Sequence, residues 1–161
     1  MNAASLQGVA AEPSIQDRLY PDLPCFGCGP VNERGLQLKS YPHGDAEVIA
    51  TFTPWPEHDN GTGFLNGGII ATLLDCHSAA VVTQEAERRG MHAADGALLP
   101  FLTAGIDVRY RRPAPLAETV ELRGRLLTGD DSQMTAAVEL WWDGKVRAEA
   151  SALWKRWRPR A

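Results

Sequence analysis

The chain has 161 residues, of which 44% are hydrophobic and 22% charged, with a formal net charge of −4. That is enough for one domain with a real core, and it excludes disorder over most of the chain. The acidic balance gives no electrostatic case for nucleic acid or an anionic membrane, and no apolar run reaches the ~18 residues of a membrane span.

Residues 1–20 are small, polar and aperiodic, which predicts a flexible tail or a short helix ahead of a single domain over 21–161. The first fourteen residues lack a basic n-region and a hydrophobic segment, so no signal peptide is expected. Three cysteines make no even disulfide set, and a cytoplasmic, reducing setting follows. Pro21–Leu38 is dense in Pro and Gly and reads as irregular structure. Within it Cys25-Phe26-Gly27-Cys28 has zinc-knuckle spacing, but a structural zinc needs four ligands and no second pair exists. No metal is expected, and the pair reads as a tight turn with half-buried thiols. Gln37–Tyr41 and Ala46–Phe52 are predicted strands, joined by Pro42-His43-Gly44-Asp45 as a turn.

The chain then passes through glycine-rich turn residues into an apolar run. A helix is predicted from Gly68 to Arg89, stopped by Gly90, with Arg88 and Arg89 suiting the negative end of its dipole. Ile69, Ile70, Leu73 and Leu74 cover one side. Asp75 lies mid-helix, beside Ala71, Ser78 and Ala79, too late to cap the first turn. It is either a carboxylate on a wetted face or one that has lost hydration, with its pKa raised for base or nucleophile work. His77 reads as a satisfied core or interface histidine, and Cys76 as a buried thiol.

Met91–Leu99 is a polar connector, and four alternating strands follow. Their inward sets are Ile106/Val108/Tyr110, Val120/Leu122/Leu126, Met134/Ala136/Val138/Leu140 and Val146/Ala148/Ala150/Ala152. Asp143-Gly144 is a two-residue hairpin signal, and Gly129–Ser132 joins the preceding pair. Inward residues this small require something bulky close by, and only the apolar helix is long enough. The expected architecture is α+β: a meandering antiparallel sheet around one central helix. Arg111 and Arg112 could meet phosphates or pair across strands with Glu121 or Glu139. Trp154 and Trp157 are expected to pack.

Three stretches, Cys25–Leu38, Asn66–Asp75 and Ile106–Leu126, resemble the hotdog-fold thioesterases, in the phenylacetate-pathway-like branch of the 4-hydroxybenzoyl-CoA thioesterase superfamily. Asn66-Gly67-Gly68 resembles that branch's His-Gly-Gly, with Asp75 matching the acid seven positions after the second glycine. The resemblance implies an acyl-CoA thioesterase without a metal or redox cofactor, CoA thioester being the substrate. It implies Asp75 as general base or nucleophile and the Gly67 backbone N–H polarising the thioester carbonyl. Asn66 stands where the family usually has His, and it cannot become cationic near neutral pH. That departure favours the alternative of a non-hydrolytic acyl-CoA-binding protein. A hotdog hydratase lacks its acid–histidine arrangement here. Asn60 matches a loop Asn that orients water in some relatives, or is an ordinary Asn-Gly turn. Asn60, Gly68, Arg111 and Arg112 are the candidate substrate-binding residues. Gly67 and Asp75 lie eight residues apart, about 12 Å along one helix. Both can hardly touch one carbonyl, so a homodimer, or a dimer of dimers, with sites at the subunit interface is expected.

Overall fold

A computed structural model describes residues 12–158. Two α-helices and six strands follow in order: α1 (Ile15–Leu19), β1 (Ser40–His43), β2 (Glu47–Phe52), α2 (Gly67–Arg88), β3 (Phe101–Tyr110), β4 (Val120–Gly129), β5 (Gln133–Trp142) and β6 (Lys145–Arg156), with a 3-10 turn at Pro56–His58 before α2. All strand pairs are antiparallel, in the order β1-β2-β4-β5-β6-β3. This is the hotdog fold: a sheet wrapped on one long helix, with two free edges and no barrel closure. β4, β5 and β6 form the expected meander. β3, however, lies beyond β6 rather than beside β4.

The central strands follow their alternation. Leu122, Met134, Val138, Leu140, Ala148 and Ala152 are buried under α2. Their small size lets the helix sit close. Gly124 shows how close: a Cβ there would come within 2.7 Å of Val81 and 3.2 Å of the His77 ring. Asp143 and Gly144 both adopt positive φ, as a type I′ hairpin turn requires. Trp154 is buried and donates its indole N–H to Ser78 Oγ at 2.9 Å, whereas Trp157 is half exposed.

Two strand expectations need correction. The first strand runs Ser40–His43, not Gln37–Tyr41. Gln37 takes φ +50°, and its side-chain amide donates to the Pro30 and Asn32 carbonyls, so the backbone there is a loop closure and not a ladder. In β3 the inward set is not fully buried: Ile106 and Tyr110 are exposed and Val108 is half-buried, because this strand is the sheet edge. Within the predicted tail or short helix, Ile15–Leu19 is helical, capped by Ser14, with Ile15 and Gln16 buried. Residues 1–11 of that segment lie outside the described residues. Among the described residues no helix is long and apolar enough to cross a membrane.

Candidate functional site

The start of α2 is built by Asn66. Its backbone is extended, and its Oδ1 accepts from Gly68 N at 2.7 Å and Ile69 N at 3.3 Å. Asn66 is therefore the N-cap, and the predicted helix start moves back one residue to Gly67. The cap engages the second and third amides of the helix and leaves that of Gly67, the first, outside it. The Gly67 carbonyl accepts from Tyr110 Oη at 2.7 Å, which ties the helix start to the end of β3. An open groove here gathers Asn60, Gly67, Tyr110, Arg111 and Arg112. Four of the sequence-chosen residues thus meet at one place.

Asn60 within this groove is engaged by turn chemistry. Its Oδ1 accepts from Thr62 N at 2.9 Å, Thr62 Oγ1 at 2.8 Å and Phe64 N at 3.3 Å. Arg111 pairs across the sheet with Glu149, correcting the expected Glu121 or Glu139. Glu121 pairs with Arg123 instead, and Glu139 accepts from the Trp141 indole. Arg112 reaches the Val146 carbonyl at 3.3 Å.

Asp75 is elsewhere. Two turns further along α2, it lines a largely apolar cavity of about 360 Å³ with Cys25, Ala79, Phe101, Leu102 and Thr103. Its Oδ1 accepts from Thr103 Oγ1 at 2.8 Å. Its backbone carbonyl accepts from Ser78 Oγ at 2.7 Å, the same hydroxyl that the Trp154 indole holds. Burial pushes the Asp75 carboxyl above the usual carboxylate range. The Thr103 hydrogen bond opposes that rise, and the nearby Cys25 sulfur adds to it. Of the two sequence readings, the structure favours the partly desolvated carboxylate, Asp75 being half-buried.

Thr103 reaches Asp75 because β3 is bulged. Thr103 pairs with Trp154, but Gly105 pairs with Leu153, so the register shifts at Ala104. Without the extra residue, Thr103 would share a face with Asp107 and point away from α2. Strict alternation read back from Ile106 therefore misses this contact. Gly105 inside the strand was the one available signal. Tyr110 was placed on the correct face, but its hydroxyl contact at the helix start was not foreseeable.

His77 is fully buried, with Nδ1 3.0 Å from Ser40 Oγ and Nε2 3.0 Å from the Val48 carbonyl. Burial lowers its pKa to about 4. It is the satisfied core histidine the sequence suggested. Cys25 and Cys28 sit in a tight turn closed by Gly29 N to the Cys25 carbonyl at 2.9 Å. Cys25 is half-buried, as read, whereas Cys28 is buried. The unforeseen element is Cys76, whose sulfur joins theirs within 4.8 Å.

The thioesterase superfamily profile matches residues 62–149, and the chain belongs to that superfamily. No curated protein matches it. A thioesterase superfamily protein from Shewanella loihica PV-4 is 28% identical and superposes with a TM-score of 0.61, over 75% of this chain and 91% of its own. A phenylacetic acid degradation-related protein from Ralstonia eutropha JMP134 shares the fold at 22% identity, with a TM-score of 0.68 over 88% of this chain and 98% of its own. So does a Streptococcus mutans UA159 protein bound to acetyl CoA, at 19% identity, with a TM-score of 0.63 over 77% of this chain and 91% of its own. Family and fold support a thioesterase-type hydrolytic activity on acyl-CoA thioesters, the thioester being the ligand itself.

Proposed function

We propose that the protein hydrolyses acyl- or aryl-CoA to free acid and CoA, with Asp75 as general base or nucleophile and the Gly67 N–H polarising the thioester carbonyl. The observation that carries this is Asp75 itself: a carboxylate held by Thr103 on the wall of an apolar cavity. A desolvated carboxylate of raised pKa is a stronger base than a solvated one, and Thr103 occupies only Oδ1, leaving Oδ2 to act. The uncapped Gly67 N–H at the positive end of α2 supplies the complementary donor for an oxyanion.

Within one chain these two groups open into different depressions, about 12 Å apart by helical rise. A two-fold homodimer, alone or paired as a dimer of dimers, resolves this by taking Gly67 from one protomer and Asp75 from its partner. The exposed edge strand β3, carrying Leu102, Ile106 and Tyr110 uncovered, supports such an interface. CoA then enters by the groove at the helix start. There Arg112 is available for phosphate and Arg111 is shared with Glu149. Asn66 acts through its cap, which orients the first turn of the helix, and its carbonyl oxygen has no need of the charge a histidine would bring.

The test is free-thiol release from short, medium, long and aryl acyl-CoAs by wild type and Asp75→Asn. Turnover in wild type that vanishes in a folded Asp75→Asn is the expected result, and the rank order of substrates names the acyl class. No turnover on any thioester, with CoA ligands still raising the melting temperature, would replace this reading with a non-hydrolytic acyl-CoA-binding protein.

A further inference from the structure

Cys25, Cys28 and Cys76 come from two segments far apart in the chain, yet their sulfurs converge, with Cys25 Sγ 3.7 Å from Cys76 Sγ. The convergence is built into the packing. A Cβ on Gly27 would fall 2.2 Å from Cys76 Sγ and 3.0 Å from Thr72 Cγ2, so only glycine lets the turn rest on α2 here. Leu36 N donates to the Phe26 carbonyl at 2.8 Å and Leu38 N to the Gly27 carbonyl at 3.0 Å, which pins the turn from behind. All three line the Asp75 cavity, but Cys28 and Cys76 are buried whereas Cys25 is half-buried. Cys25 is thus the sulfur most accessible to a small polar reagent, and the Cys76 thiol lies 3.7 Å from it.

We propose that Cys25 and Cys76 are a peroxide-responsive thiol pair that closes to a reversible disulfide, fastening the lead-in turn to α2 beside Asp75. The Cys25 thiolate attacks one oxygen of hydrogen peroxide. An S–O bond forms, the O–O bond breaks, and the departing hydroxide leaves as water after taking a proton. Cys76 then attacks the sulfenic sulfur: the S–S bond forms, the S–O bond breaks, and the thiol proton leaves with the hydroxyl as a second water. Two electrons pass from the two sulfurs to the peroxide. A dithiol reverses the step by exchange.

The electrostatics agree with Cys25 as the attacking sulfur. Hydrogen bonds from the Cys28 and Cys76 thiols, with the Cys28 and Gly27 backbone N–H groups, pull its pKa down to about 2. Cys28 is correspondingly pushed up to about 12 and Cys76 is pushed up as well, so both stay protonated donors to one shared thiolate. The link discharges the sulfur that faces Asp75.

The experiment treats fully reduced wild-type protein with hydrogen peroxide and counts free thiols per chain under denaturing conditions, followed by peptide mapping. The expected result is a fall from three thiols to one, recovery of a Cys25–Cys76 linked peptide, and return to three after dithiothreitol. Cys28→Ser should retain the link. Three thiols persisting, a Cys25–Cys28 peptide, or a link between chains would overturn the proposal, and the wild-type arm decides this if the variant fails to fold. Thioester turnover is a separate readout. A chain that forms the link without hydrolysing any thioester sinks the hydrolase reading alone, and one that hydrolyses while keeping three thiols sinks only this proposal.

Discussion

The first turn of α2 and its middle are eight residues apart and chemically opposite. The first turn is open and polar, capped by Asn66, with Asn60, Gly67, Tyr110 and two arginines around a groove. The middle is less open and largely apolar, with Asp75, Thr103 and the cysteine turn around a cavity. The first suits binding an anion or polarising a carbonyl, because its partial positive charge is fixed in the backbone. The second suits raising a carboxylate pKa, because it partly desolvates the group. One helix cannot place both environments around one atom, and this difference drives the two-fold reading.

Breaking the middle should have the largest effect. Asp75→Asn is expected to lower kcat by about 10³-fold or more while circular dichroism stays unchanged. Breaking the first turn comes next. Gly67→Pro removes only the N–H, since proline is welcome at the first helical position and Asn66 already has the extended backbone that precedes proline. Loss of about 10²–10³-fold in kcat is expected with the fold kept. Mixing and exchanging the two inactive variants should return about a quarter of wild-type activity, because half the dimers then carry one intact composite site of two. No recovery on mixing would place both groups on one chain.

Other changes sharpen the contrast in dryness. His77 lies on the buried side of the same helix, with its pKa lowered from 6.5 to about 4. The unfolded chain therefore takes up its proton first as pH falls. Its stability contribution is full above pH 6.5 and drains between 6.5 and 4, by roughly 3 kcal/mol. Urea unfolding across that window should show the loss in wild type and not in His77→Gln. Asn66→Ala should cost about 1 kcal/mol through the lost cap, read by the same method. Smallest is Thr103→Val. The hydrogen bond it deletes lowers the Asp75 pKa, so the acid limb of kcat should move to higher pH with a few-fold loss of rate.

Much of this contrast was legible in the sequence. Apolar spacing fixed α2 to within a residue at each end, and period-two alternation gave the inner faces of β4 and β5 and of β6 from Ala148 onward, a register shift turning Val146 away from the core. Asp75 stood out because it lies too late in the helix to cap the first turn, although a wetted face accounted for it equally well. What escaped were features set by tertiary contact. The bulge that turns Thr103 inward is a one-residue register choice, and Gly105 alone does not specify it. The exposure of Ile106 and Tyr110 depends on β3 being an edge, which alternation cannot say. Gln37 looked like strand but closes a loop with positive φ. The meeting of Cys76 with the cysteine turn needed the close approach that Gly27 permits.

The strand order has a consequence for how the protein assembles. β6 is the last strand of the described residues but lies inside the sheet, between β5 and β3. β3 is made much earlier and has no partner strand among the described residues until β6 exists. The β4–β5 hairpin can form from local contacts as soon as it is synthesised, whereas pairing β3 with β6 must close a long loop around the helix. During synthesis α2 therefore waits with part of its apolar side uncovered. Docking of β6 is the cooperative step that both seals the core and creates the wall from which Thr103 reaches Asp75. Hydrogen exchange during refolding should then protect the β4–β5 amides first, and those joining β6 to β3 last.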